Sequence, residues 1–215
     1  MKKLHTFNLI PVLILTLLCS VTIAQDDDDL GTDKLAQTGM KFLSFSPDAR
    51  AAALGDAVTA KTGGASSLFY NPAGMARIEG MNLSAGQVNW IAGITYNAVS
   101  VAYASDAGVF GVSVMNVDYG EIQGTIRSTN TAGYTDTEMF TPTANVVGLG
   151  YAIAPTDRFS VGGQVKFVNE KLGNAYLDTG GSVEGIKSLD MDAVAYDFGL
   201  MYQMDWKNLM IAMSA

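Results

Sequence analysis

Cysteine and histidine are nearly missing: the 215 residues hold one of each, Cys19 and His5, both close to the N-terminus. A disulfide framework therefore has no partners to pair. Ser-His-Asp and Cys-His nucleophile systems and zinc sites of the usual Cys/His kind also lack their parts. Positive charge is scarce too, with 13 Lys and Arg against 21 Asp and Glu and a net charge of −8, which excludes an ordinary nucleic-acid binder. Beyond the N-terminus no apolar stretch approaches the roughly 20 residues of a spanning helix.

What the N-terminus does hold is an export signal. Lys2 and Lys3 lead into an apolar core over residues 9–18, and the small residues Thr22 and Ala24 precede Gln25. This order is that of a secretory signal peptide over residues 1–24, cleaved near Ala24. The apolar core is half the length of a membrane anchor, and Leu18 stands before Cys19 where a lipid-attachment signal carries a small residue. Cleavage removes Cys19, His5 and two positive charges, so the mature chain is more acidic still.

The rest of the chain alternates. Over residues 158–171, Phe159, Val161, Val165 and Phe167 share one face, while Arg158, Ser160, Gln164 and Lys166 share the other. Over 192–204, Val194, Tyr196, Phe198, Leu200 and Tyr202 stand opposite Ala195, Asp197, Gly199, Met201 and Gln203. Residues 143–153, 108–117 and 95–105 repeat the pattern with a second face that is small rather than polar. A strand over 82–89 precedes these, and Leu209, Ile211 and Met213 open a seventh. Period-two alternation predicts half-buried strands, and the fold class expected is all-β.

A soluble sandwich alternates as well, so three further features argue for a transmembrane antiparallel barrel. Most strands run about ten to twelve residues, enough to cross the apolar band of an outer membrane when tilted. Connections alternate between short turns (106–108, 154–157, 205–208) and long loops (118–142, 172–190), the layout of outer-membrane barrels. Tyr103, Phe110, Tyr151, Phe159 and Tyr202 lie on apolar faces near the short turns, where a periplasmic aromatic girdle would sit. On this reading Arg158, Gln164, Lys166, Asp197 and Gln203 face the lumen. An odd, unclosed strand count predicts that residues 81–215 form about half of a barrel, since a closed one needs an even number of at least about eight.

Between signal and strands, residues 25–37 form an acidic leader and residues 38–80 a segment of different composition. Ser46 and Pro47 predict a short helix start before the Ala49–Leu54 run. Asn71, Pro72, Ala73 and Gly74 predict a turn, with Pro fixing φ and Asn bonding nearby backbone.

The run from Leu54-Gly55-Asp56-Ala57 through Ala65-Ser66-Ser67-Leu68-Phe69-Tyr70-Asn71-Pro72-Ala73-Gly74-Met75-Ala76 to Asn82-Leu83-Ser84 resembles the PorV/PorQ family of outer-membrane proteins. More distantly it is similar to the FadL-type long-chain fatty-acid transporters. The resemblance covers about residues 39–86. It implies a FadL-like barrel with residues 38–80 as an internal plug, located in the outer membrane of a Gram-negative, Bacteroidetes-like cell. It implies one of two activities: handling of secreted cargo for surface attachment in type IX secretion, or uptake of hydrophobic small molecules. The partners would be outer-membrane lipid together with cargo and secretion components, or such small molecules; no nucleic acid and no cofactor is implied.

Rival classes leave weaker marks. Asp190 and Asp192 form a close carboxylate pair, as glycosidases use, but rim solvation is the commoner role, and the chain is read as a non-enzyme with no catalytic or metal site. A soluble adhesin remains the alternative for the alternation. A diffusion porin would need dense opposing lumen charges where this chain has Gly, Ala and Ser. Gly148-Leu149-Gly150 lacks the third glycine and helix of a nucleotide loop.

Overall fold

The computed structural model describes residues 39–178 and 183–215, with the side chains of 175–187 set aside; the predicted signal peptide (1–24) and predicted acidic leader (25–37) lie outside the described residues. The unit Met40–Ala215 is one compact body. Its strands are β1 (Met81–Asn89), β2 (Thr95–Ser105), β3 (Gly108–Asp118), β4 (Ile122–Arg127), β5 (Tyr134–Phe140), β6 (Thr143–Ile153), β7 (Phe159–Asp178), β8 (Val183–Gln203) and β9 (Met210–Ser214). Seven of these form a single curled antiparallel sheet, ordered β1-β2-β3-β6-β7-β8-β9. All neighbours pair in sequence, apart from the excursion between β3 and β6.

That excursion differs from expectation. Residues 118–142 read as a loop, yet β4 and β5 pair there as a separate two-stranded hairpin. The second long loop, 172–190, is also mostly strand: β7 and β8 keep pairing beyond Lys171 through a register shift to Asp178 and Val183. Both segments are rich in Gly, Ser, Thr, Asn and acidic residues, which read as loop, although Ile122 and Ile126 alternate with Gln123, Thr125 and Arg127 and although Thr, Tyr and Ile favour extended backbone.

Residues 40–80 pack on one face of the sheet. They contain one short helix, α1 (Ala49–Ala53), and three 3-10 turns, Lys41–Ser44, Ala65–Phe69 and Pro72–Met75. The cap of α1 is Asp48, whose side chain accepts from the Arg50 amide at 2.9 Å, and not Ser46. The Ser46 hydroxyl is engaged elsewhere, bonded to the Tyr70 hydroxyl at 2.7 Å, and the helix starts only at Ala49, after Asp48 in extended conformation.

Two apolar clusters lie between this segment and the sheet. One gathers Phe42 with Tyr96, Met115, Val117 and Val146 toward the hairpin end; Phe45 stacks on Tyr96 at 3.9 Å. The other gathers Leu68, Met75 and Ile78 with Ala102, Val109 and Ala152 toward the short turns. The opposite face of the sheet has no such cover, and its large apolar side chains are exposed.

Candidate functional site: the two faces of the sheet

Strand parity assigns every residue of the sheet to a covered or a bare face. Along β6 the buried residues are Ala144, Val146, Gly148, Gly150 and Ala152, alternating with exposed Asn145, Val147, Leu149, Tyr151 and Ile153. β2 and β3 follow the same rule, with Ala98, Ser100 and Ala102 or Gly111 and Ser113 buried and Val99, Phe110, Val112 and Val114 exposed. Toward the hairpin end the covered face also carries Tyr96, Met115, Val117 and Val146, while over the middle of the sheet and toward the short turns the covered residues are mostly small and the bare ones large and apolar. An ordinary soluble core has the opposite arrangement, since the large apolar side chains are those that gain most from leaving water.

The small residues of the covered face make room for the segment laid on it. A Cβ added to Gly162 would stand 2.6 Å from the Ala73 nitrogen, and one on Gly199 would collide with the Asn71 side chain. On Gly111 and Gly150 it would meet the Leu68 methyls at 2.8 and 2.5 Å, with Met75 beside them. The backbone of the Pro72–Met75 turn thus rests directly on β7 and β8, and Leu68 and Met75 fill the space over β3 and β6. These two side chains were not marked by the sequence. Their signal was available in the facing glycines, which recur at matching heights on neighbouring strands.

Asn71 is the centre of this contact. It is 1 % exposed, its Oδ1 accepts from the Ala73 amide at 3.0 Å, and its Nδ2 donates to the Thr59 carbonyl at 2.9 Å and the Leu200 carbonyl at 3.5 Å. One amide therefore caps the turn, ties it to the preceding loop and bonds it to the sheet. Pro72 follows as the first residue of the turn, with its missing N–H at a position where a helix start leaves donors unused. Ala73 and Gly74 are buried with them; Gly74 is tight against Ser67 and the Lys61 carbonyl.

A polar layer separates the two apolar clusters. Gln164, 3 % exposed, donates from Nε2 to the Ser113 hydroxyl at 2.7 Å. Lys166 and Asp197 form an ion pair at 2.5 Å, Nζ to Oδ2, and both are largely buried. Gln203 lies on the same face at the end of β8, half-buried. Arg158 does not join them: it precedes β7 in the turn and pairs with Asp205 across the next turn at 2.5 Å, both residues exposed. The residues Tyr103, Phe110, Tyr151, Phe159 and Tyr202 all stand on the bare face near the short turns. Tyr103, Phe110 and Tyr151 are successive partners in one row, and Phe159 pairs with Tyr202 in another. The Tyr151 hydroxyl donates to the Ala107 carbonyl, fastening the β2–β3 turn.

Two further polar groups act on the segment, Asp48 within it and Glu170 at its start. Near α1, burial pushes the Asp48 carboxyl up, but the Arg50 amide and the Lys61 ammonium, 3.7 Å away, outweigh it and leave the carboxyl below its usual range. Near the hairpin, Glu170 is 5 % exposed and its carboxylate accepts from the Met40 amide at 3.2 Å. Burial, then the adjacent Glu170 charge, pushes the Tyr119 phenol up to about 12. Among the described residues no cluster of acidic, His or Cys side chains could hold a metal. Asp190 and Asp192 lie on the bare face, and Asp192 accepts from Asn169. No helix of the described residues is long and apolar enough to cross a membrane, which says nothing about strands. Against models of known protein families and against curated protein sequences, the chain finds no match.

Proposed function

We propose that the chain is an outer-membrane β-barrel protein of the PorV/PorQ type. In this reading the seven-stranded sheet is part of the barrel wall, residues 40–80 are the plug within it, and the assembly handles secreted cargo in a type IX-like export route. The observation that carries the membrane part is the bare outer face of the sheet: Val, Leu, Phe and Tyr rows stand exposed on it, and over its middle the covered face beneath them is mostly Gly, Ala and Ser. Water penalises such a surface by about 25 cal/mol per Å², whereas lipid does not. Patches this continuous are rare on soluble monomers. Tyr103, Phe110, Tyr151, Phe159 and Tyr202 then form the periplasmic girdle, and Gln164, Lys166, Asp197 and Gln203 line the lumen against the plug. Residence in lipid also requires both sheet edges, β1 and β9, to be paired by further wall. The direct seating of Asn71, Pro72 and Ala73 on glycine favours a filled barrel over an open diffusion porin. The export role comes from the family resemblance of residues 39–86.

The test has two stages. Cell fractionation and gel mobility before and after boiling check the barrel, which should stay with detergent-extracted outer membrane and migrate as a compact species until heated. Disruption of the gene then separates activities: surface proteins retained inside the cell support export, while a selective loss of long-chain fatty-acid uptake supports the FadL-like role instead. A chain that washes free of membranes in carbonate is a secreted soluble domain, and the reading fails.

A further inference from the structure

Six strands place an amide or carboxylate at one level of the bare face. Gln87, Asn97, Asn116, Asn145, Asn169 and Asp192 are successive Cα partners across β1, β2, β3, β6, β7 and β8. They bond in pairs: Gln87 donates to Asn97 at 2.9 Å, Asn116 to Asn145 at 2.7 Å, and Asn169 to Asp192 at 2.7 Å. One step toward the short turns the row is apolar throughout, from Ala85 and Val99 to Phe167 and Val194. One step the other way it is polar throughout: Asn89, Thr95, Asp118, Thr143, Lys171 and Asp190. The face changes character within a single row.

We propose that these two rows bind the sugar headgroups of lipid, an inference that rests on the membrane reading above. Each paired amide uses one N–H or one carbonyl lone pair within the row and leaves its other donor and acceptor sites free. Planar groups that donate and accept side by side suit vicinal hydroxyls, which do both. Charge decides against the commoner headgroup chemistry. The two rows hold Asp118, Asp190 and Asp192 against Lys171 alone, so a phosphate would be repelled and would find no guanidinium fork. A hydroxyl has no charge to repel. Five strand spacings make the row about 24 Å wide, at about 4.8 Å each, enough for several headgroups side by side.

The test uses the full chain in phosphatidylcholine vesicles with a minor lipid, either a monoglycosyl diacylglycerol or phosphatidylglycerol. Lipid retained after detergent exchange is counted by native mass spectrometry, and flotation with the vesicles reports membrane residence. The glycosyl lipid should be enriched over phosphatidylglycerol. Enrichment should fall about fivefold in the Asn116→Val/Asn145→Val variant, the worth of roughly one hydrogen bond, and persist in Asn116→Gln/Asn145→Gln. Valine is a good strand former, so the first pair should still float. Equal retention of the two lipids, preference for phosphatidylglycerol, or enrichment untouched by the valines overturns the proposal while flotation leaves the barrel standing. Failure of the wild-type chain to float with any vesicle overturns both.

Discussion

Asn71 joins three pieces of backbone through one buried side chain, so its removal should be felt well beyond the turn. Asn71→Ala loses the cap on Ala73 and leaves the Thr59 carbonyl without its donor, a loss of about 2 kcal/mol. Thermal melting of the compact gel species should drop accordingly, and an unchanged midpoint would show that the turn bears no weight. Gly199→Ala tests the same contact from the sheet side. The added methyl would collide with the Asn71 side chain, and overpacking of this kind costs about 1–3 kcal/mol. Tyr119 gives a pH signature. Its phenol is raised, so the neutral form is favoured in the fold, and that stabilisation is whole below the ordinary value of 10.0 and lost as pH rises toward about 12. Melting between pH 9 and 12 should be steeper for wild type than for Tyr119→Phe, which cannot titrate there. At this scale the Asn-Pro turn was legible, because both residue types act on their own neighbours. The bond to Leu200 was not, since 129 residues separate the two and nothing local announces the meeting.

Strands were legible where their two faces differ. β2, β3 and β6 alternate between large apolar and mostly small residues, and β8 between apolar and mixed ones, so their placement needed only parity; short turns fix which residues meet for β2–β3, β6–β7 and β8–β9. β4 has a short contrast, Ile122 and Ile126 against Gln123, Thr125 and Arg127, but it, β5 and the outer arm of β7–β8 lie among Gly, Ser, Thr and Asn and passed for loop. Arg158 shows the limit of parity: it has the lumen's phase, but it sits before the strand begins, where Asp205 captures it. The bare face makes its own prediction. Val147 lies mid-strand and exposed between Val114 and Phe167 in the same row. Val147→Arg should impair insertion into vesicles by about 2–4 kcal/mol, the cost of a cation near the bilayer midplane. In a soluble protein the same change would be harmless or helpful, because it replaces exposed valine with a solvated charge. Folding yield into lipid, compared with Val147→Thr, distinguishes these; equal yields for Arg and Thr would mean that lipid does not touch this face.

Every hairpin of the sheet turns at one of two ends, and this gives the whole molecule a sidedness that can be read with a protease. The β1–β2 connection, the β4–β5 hairpin and the β7–β8 arm share one end; the turns β2–β3, β6–β7 and β8–β9 share the other. Trypsin sites mark both: Arg127 is exposed at the tip of β4, while Arg158 and Lys207 are exposed in the opposite turns. If the strands cross a bilayer, trypsin added outside sealed vesicles reaches only one end of any given molecule. Random insertion would then yield two sets of fragments, one cut at Arg127 and one at Arg158 and Lys207, with no peptide bounded by cuts from both ends. Opening the vesicles with detergent should produce such peptides at once, the stretch 128–158 foremost. A soluble sheet offers both ends together from the start. Mass spectrometry of the digest before and after opening decides between them without any assumption about cargo, plug or closure, because it depends only on which connections the strand order places at which end.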